Sequence, residues 1–350
     1  MAVHGTLAVV VAFTLTNLST VVVALRFYSR YHLVGKLGSH DWVMLAALIA
    51  TWGTPIINYY QIIYMDYRGT YDADNNIIVE PWKKVATGGL LMMWIFRLNY
   101  IIDHLLIKTS ILLFYNYVAA THRSYYWIVR GMLGFVILSS LAMAFVSIFI
   151  CNPPHIAWDG DVFLKEFSGI FPTQCMDPSP LWRTQAAYNL ATDGIVWLLP
   201  MPFFMSLRSM PMRKRVELVS IFSLGLVAIA ASAIRLAVTM RWLSGFIEAG
   251  LQWGNLLIWS QVEQHVGIIA ASMPFLRPLV RKTLKKVRAR SPSPGQKLVA
   301  ERISPLGEPV PPRTLIIPSP APTFSSDDTF RPPATPLSPI KPEMRLFQTV

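Results

Sequence analysis

Seven stretches of this chain are apolar for long enough to cross a lipid bilayer, and nothing else in the sequence limits its fold as severely. A span needs about 20 apolar residues to cover roughly 30 Å of hydrocarbon. Residues 5–26, 42–64, 90–118, 127–150, 184–207, 216–240 and 255–279 each qualify. Composition agrees: 53% of the 350 residues are hydrophobic and 14% charged, and the mean hydropathy is +0.43. The expected fold is all-α, a polytopic membrane protein built as a seven-transmembrane-helix bundle.

The first stretch differs from a cleaved signal peptide. It has no basic residues before it and no small-residue cleavage site, and it runs directly into Arg26, Arg30 and Lys36. It reads as a retained span. Lys and Arg concentrate in loops that stay in the cytoplasm. Arg26, Arg30 and Lys36, then Arg123 and Arg130, then Arg208, Arg213, Lys214 and Arg215 fall on one side, together with Arg277, Arg281 and Lys282. Asp66, Asp72, Asp74, Glu80, Asp159, Asp161, Glu166 and Asp177 fall on the other, with Lys83, Lys84, Arg68 and Lys165 as exceptions. The expected topology therefore puts the N-terminus outside and the C-terminus in the cytoplasm. This bias accounts for the formal net charge of +12. No nucleic-acid-binding motif accompanies that charge, so a nucleic-acid partner is not expected.

The two cysteines, Cys151 and Cys175, both fall in the outer loop between the fourth and fifth spans. That side is oxidising, and a disulfide persists there. No third cysteine competes, so a Cys151–Cys175 bridge is expected over two unrelated thiols. It would staple the intervening loop into a compact lid. From about residue 281 the chain loses hydrophobic periodicity and fills with Pro, Ser and Thr. The expected division is a membrane domain over 1–280 and a disordered cytoplasmic tail over 281–350. The tail's Ser/Thr-Pro pairs are candidate phosphorylation sites, and RKTLKKVRAR is a basic run suited to anionic headgroups of the lipid bilayer.

The third span, RLNYIIDHLLIKTSILLFY, carries Arg97, Asp103, His104 and Lys108 where hydrocarbon penalises charge. A charge at mid-membrane costs about 3 kcal/mol on insertion scales, so such groups turn inward and pair. At about 100° per residue, Arg97, His104 and Lys108 project within roughly 40° of one another, while Asn99 and Asp103 share a different face. Partners exist elsewhere: Asn189 and Asp193 on the fifth span, Ser232 and Arg235 on the sixth, and Gln261, Glu263, Gln264 and His265 on the seventh. The expected intramembrane polar cluster is Asp103, His104, Lys108, Asn189, Asp193, Arg235 and Glu263. It serves either as a network that fixes helix register or as the lining of a pocket open to the outside, and the two are compatible. Trp52, Trp94, Trp197 and Trp259 are candidate aromatic walls, with Trp182 and Trp253 assigned to interfacial belts.

Pro200 and Pro202 near the end of the fifth span, and Pro274 and Pro278 near the end of the seventh, mark kinks. Gly225, Ala228, Ala231 and Ser232 give the sixth span small faces for close packing.

Several motifs in order give a resemblance over residues 20–280. LRFYSRYHLVGKLGSHDWVMLAALIA, with Arg26, Arg30, Leu37, Gly38, Asp41 and Trp42, resembles the first loop of the fungal rhodopsin-domain family, which overlaps the PTH11-like receptors and the SAT4-type integral membrane proteins. KTSILLFY, CNPPHIAWD with Cys175, NLATDGIVWLLPMP, the run ending on Arg235, and Glu263 followed by PFLRP continue the likeness. His40 stands where the family usually has a first Asp, and FYNYVAATHR lacks the usual Arg-Leu pair. Locally, Asp41 is placed to cap the second helix and Trp42 to anchor at the interface. The resemblance implies a seven-helix fungal membrane protein. The family ranges from receptors proposed for host sensing to proteins encoded in secondary-metabolite clusters.

Retinal is not an expected cofactor, because the seventh span has no lysine for a Schiff base. No other cofactor and no metal site is expected, since only His104 and His265 lie within spans and no paired-His motif accompanies them. Three functions remain. A receptor-like sensor in the plasma membrane would bind a small lipophilic or extracellular ligand and engage a G protein, although the chain lacks D/E-R-Y and N-P-x-x-Y. An integral-membrane enzyme or accessory protein of a secondary-metabolite cluster would use Asp103, Asp193 or Glu263 as a general acid. A transporter would need repeats that the sequence does not show.

Overall fold

The computed structural model describes residues 2–64, 70, 78–118, 123–167, 173–201, 212–244 and 249–290. Pro292–Val350 is set apart as a separate unit, so the expected tail with its Ser/Thr-Pro pairs lies outside the described residues, as do Pro202, Asp66, Asp72 and Asp74.

Eight α-helices occur among the described residues: α1 (Ala2–Tyr28), α2 (Ser39–Tyr64), α3 (Val79–Val118), α4 (Arg123–Ile148), α5 (Gly160–Phe167), α6 (Pro178–Leu198), α7 (Met212–Ser244) and α8 (Ala249–Arg290). A π-helical turn over Ser29–Val34 ends α1 and closes on Gly35, whose positive φ of 75° suits a residue without a Cβ. All but α5 are long. Five pass as membrane spans by length and apolarity, namely Gly5–Val34, Ser39–Tyr64, Val79–Tyr117, Arg123–Ile148 and Phe222–Ser244. The chain is thus a helical, multi-pass membrane protein. The two remaining long helices, α6 and α8, owe their lower apolarity to the side chains that build the interior: Gln185, Asn189 and Asp193 on one, Gln261, Glu263, Gln264 and His265 on the other.

Each helix turns a stripe inward at helical spacing. On α1 the buried positions are Ala8, Ala12, Thr16, Ser19, Val23 and Arg26, while Leu7, Val10, Leu18, Val21 and Leu25 face outward. The inner residues are small or hydroxylated because lipid gives helices no hydrophobic drive to associate, so close approach and hydrogen bonds hold them. Thr16 satisfies its hydroxyl on the Ala12 carbonyl at 2.7 Å, and Thr51 does the same on Ala47 at 2.7 Å. On α2 the stripe runs through Asp41, Met44, Ala47, Leu48, Thr51, Thr54, Asn58 and Gln61.

Neighbours in the chain are neighbours in space, and the ring closes where α8 packs on α1. α3 touches α2, α4, α6 and α8. This explains why one helix carries polar groups on two faces: it has no lipid-only side.

Three expectations shift. α3 begins at Val79 instead of near residue 90, because Trp82, Lys83 and Thr87 on its extra turns support the loop after α4. α8 continues through residue 281 to Arg290, so the first ten residues of the expected tail are helical. Trp182 and Trp253 are buried, not interfacial: with Trp242 they form an aromatic cluster, and the Arg97 guanidinium stacks 4.3 Å over the Trp182 ring. The ring face gives the buried Arg97 guanidinium an electrostatic partner, a signal that periodicity does not carry.

Cys151 and Cys175 are joined. Asn152 N–H donates to Gln174 at 3.0 Å and Met176 N–H to Ile150 at 2.9 Å, so two antiparallel backbone bonds flank the bridge. The enclosed loop folds as a 3₁₀ turn over Pro154–Trp158 and then α5, both docked on α3. Gly160 N–H donates to Thr87 Oγ1 at 3.1 Å, Trp82 stacks on Phe163, and Lys83 pairs with Asp161. The described part of the stapled loop thus covers this end of α3.

Candidate functional site

The polar residues of the interior sort into separate centres. The largest joins α3, α6, α7 and α8. Lys108 Nζ lies 3.0 Å from Asp193 Oδ1 and donates to Asn189 Oδ1 at 2.7 Å and to Thr192 Oγ1 at 2.5 Å. Glu263 accepts from Tyr100 at 2.8 Å and from Ser232 at 2.5 Å, and Asn189 Nδ2 donates to it as well. Arg235 Nε stands 3.8 Å from Glu263, its NH1 donates to Tyr100 at 2.7 Å, and its Nε donates to Ser260 at 3.1 Å. Two cations and two carboxylates balance, and every one of these charges has a hydrogen-bonding partner. This is the condition under which buried ions are tolerated.

His104 belongs to the edge of this centre. Its ring lies 4.3 Å from Tyr100, and its Nε2 is 3.9 Å from Glu263, beyond hydrogen-bond reach. Six of the seven expected cluster residues are therefore brought together: His104, Lys108, Asn189, Asp193, Arg235 and Glu263. Asp103 is not among them. It points to the other face of α3, where its Oδ2 accepts from Thr54 at 3.2 Å, Asn99 at 3.0 Å and Gln264 at 3.0 Å. The 100° step between Asp103 and His104 sends the two side chains into different helix interfaces. Tyr100 was absent from the sequence reading, although it lies one turn from His104 on the stripe already identified.

His265 faces α1, with Ser19 at 2.9 Å from Nδ1 and Thr16 at 3.2 Å from Nε2. It and His104 therefore serve different interfaces. Among the described residues, His, Cys, Asp and Glu side chains do not gather in threes that could hold a metal ion.

A further centre explains the first-loop motif. Arg26 Nε donates to Asp41 Oδ1 at 3.0 Å and Arg30 Nε to Asp41 Oδ2 at 3.2 Å. Arg26 also donates to the backbone carbonyls of Ala271 at 3.1 Å and His40 at 3.2 Å. Ala271 lies beside Pro274, where the proline interrupts the helical ladder of α8. Asp41 reaches back to Gly38 N–H at 2.9 Å, the reciprocal half of a capping box. The capping role expected for Asp41 is thus present, with an ion-pair role added to it. Trp42 is exposed and packs edge-on to Phe27, while His40 stacks on Phe275.

Beside the four-charge centre lies a cavity of about 260 Å³. His104, Lys108, Asp193 and Glu263 form its polar end, Ile111, Val196, Trp197 and Ala228 are among its apolar walls, and Pro200, Pro274 and Arg277 lie towards its far end. A pocket open on the disulfide side was expected. The cavity instead lies on the opposite side of the charges, between the ends of α3 and α6, the middle of α8 and the N-terminal half of α7. The small faces of α7 and α8 make room for it: Gly225, Ala228, Gly267, Ala270 and Ala271 all line it. Any Cβ at Gly225 would collide with the Trp197 ring, which is fixed by donation from its Nε1 to the Phe222 carbonyl at 3.1 Å.

The family model for the fungal rhodopsin domain matches residues 25–282. Receptor GIN3 of Arthrobotrys oligospora is 29% identical over 282 residues, covering 79% of this chain and 63% of the receptor, so the chain spans less than two thirds of that relative's length. The polyenoic acids biosynthesis gene cluster protein Ba17b of Metarhizium anisopliae is 25% identical over 279 residues, covering 76% of this chain and 71% of the relative. Fugralins biosynthesis cluster protein 2 of Gibberella zeae is 23% identical over 309 residues, covering 86% of this chain and 73% of the relative. No solved structure matches.

Proposed function

The chain belongs to the fungal rhodopsin-domain family, and from that premise we propose that it is a receptor-like protein whose intramembrane cavity binds a small lipophilic ligand. The cavity beside the four-charge centre carries this reading. Its polar end offers the unpartnered His104 Nε2 and the carboxylates of Asp193 and Glu263 to a ligand's hydrogen-bonding groups, and its apolar walls suit a hydrocarbon or aromatic body. At about 260 Å³ it sits near the small end of ligand pockets. The relative named as a receptor favours this reading.

In this reading α6 and α8 cross the bilayer with the five more apolar helices, giving seven spans. The protein sits in the plasma membrane, with the N-terminus and the disulfide-stapled lid facing outward and the tail beyond Arg290 in the cytoplasm. A G protein is the partner for the cytoplasmic face.

Two relatives named for biosynthetic clusters favour a second reading, a membrane accessory protein or enzyme of secondary metabolism. Binding of 1-aminoanthracene, a compact neutral fluorophore, to the protein in nanodiscs tests the shared premise. Saturable enhancement that disappears in Ala228→Trp, with folding retained, supports an accessible cavity, and enhancement unchanged by Ala228→Trp refutes it. Ligand-stimulated nucleotide exchange on a G protein supports the receptor, whereas turnover of a metabolite lost in Glu263→Gln supports the enzyme.

A further inference from the structure

Asp103 is completely buried, yet no lysine, arginine or histidine lies within ion-pair distance of it among the described residues. Three donors crowd onto one oxygen, Oδ2, from Thr54, Asn99 and Gln264. The other oxygen, Oδ1, has no partner, and neither has Oε1 of Gln264, whose amide nitrogen is already bonded to the same carboxylate at 3.0 Å. Two buried, electron-rich oxygens therefore belong to side chains that touch, and neither meets a donor.

We propose that Asp103 and Gln264 bind one alkali-metal cation. The ligand chemistry fits: carboxylate, amide carbonyl and hydroxyl oxygens are hard donors of the kind that hold hard cations. The charge fits as well, because a single carboxylate among neutral oxygens is neutralised by a monovalent ion, and a bare carboxylate this deep in a membrane protein is strongly penalised. Asp103 Oδ1 and Gln264 Oε1 are the primary ligands.

Further unpartnered amides lie on the same helices. One and two turns beyond Thr54 on α2, the buried amides of Asn58 and Gln61 lack protein partners on both of their polar atoms, and Gln261 Nε2 on α8 is unpartnered too. They lead from Asp103 toward Tyr64 and the start of α8, the end of the bundle that carries the disulfide. Asp103 and Gln264 do not line the cavity assigned above to a ligand, so the proposed site is separate from it.

The test is thermal unfolding of the protein in nanodiscs at about 0.15 M ionic strength, with lithium, sodium or potassium chloride compared against N-methylglucamine chloride. The expected result is a saturable rise in Tm of roughly 2–8 °C with at least one alkali cation, absent in Asp103→Asn. Equal Tm in all salts overturns the proposal, as does a rise that survives in Asp103→Asn. Should Asp103→Asn fail to fold, radioactive sodium binding to the parent protein is measured against Gln264→Met. Saturable binding that weakens at least fivefold in the variant supports the site, and its absence from the parent overturns it. An Asp103→Asn protein as stable as the parent in every salt also overturns it, since a bound proton then suffices.

Discussion

Lys108 on α3 and Asp193 on α6 meet at 3.0 Å, and the same ammonium bonds Asn189 and Thr192, so one lysine binds the third helix to a full turn of the sixth. Truncating it leaves Asp193 and Glu263 with Arg235 as the remaining cation of the centre. Lys108→Met is expected to destabilise the bundle by about 3–5 kcal/mol. Asp193→Asn should lose less, because its side chain is 16% exposed and partly screened. The double variant should recover at least half of the Lys108→Met loss. Thermal unfolding of the three variants in nanodiscs checks the order.

Arg26 binds Asp41 and the Ala271 carbonyl and is fully buried, whereas Arg30 binds the same carboxylate from a partly exposed position. Arg26→Leu should destabilise by about 3–5 kcal/mol by orphaning part of Asp41, and Arg30→Gln by about 1 kcal/mol or less. Fluorescence-detected size exclusion after heating reads both. Equal losses in the two variants would contradict the geometry.

The Cys151–Cys175 bridge closes a loop across a sequence separation of 24. Chain-entropy reasoning gives about 3 kcal/mol for such a loop. Cys151→Ser with Cys175→Ser should therefore lower stability by about that much. Reductant should lower Tm in the parent protein and leave the double variant unchanged.

Asp177 caps α6 by accepting from Ser179 N–H at 2.8 Å, and this bond holds its carboxyl below the usual carboxylate range. A depressed folded pKa contributes stability above the unfolded value, and the contribution is lost as pH falls through the folded one. Asp177→Ala is expected to cost about 0.5–1 kcal/mol at neutral pH. The gap to the parent should close as acid protonates the carboxyl. Paired melting curves across an acid titration test both the size and the sign.

Topology is open to a direct test. A glycosylation acceptor, Asn-Gly-Thr, inserted between Thr173 and Gln174 should be modified, and one appended after Val350 should not. Modification of the appended acceptor would reverse the proposed orientation.

Much of this organisation is legible in the sequence. Apolar length located the long helices, and helical spacing predicted that α3 would carry two polar faces, as Asp103 and Lys108 do. Charge bias and chain position paired the cysteines. Other features depend on three-dimensional relationships that spacing does not encode. The Arg26–Asp41 pair forms because a π turn and a tight corner fold fifteen residues back on themselves, and a motif read as a loop gives no hint of that. Trp182 and Trp253 look interfacial because both sit near helix starts, but Phe96, Trp242 and Arg97 enclose them. The cavity lies opposite to expectation because its space comes from glycines and alanines on two helices that approach each other only in the fold.

The first and last helices are fastened at several heights: Thr16 and Ser19 to His265, Arg26 to the Ala271 carbonyl, and Ser29 to the Phe275 carbonyl at 2.7 Å. The first and last described helices are consequently clasped along much of their shared length. A proteolytic nick between Cys151 and Cys175 would sever the backbone without parting the molecule, since sulfur holds the fragments on one side and this clasp on the other. That one backbone link is then dispensable once the bundle has formed.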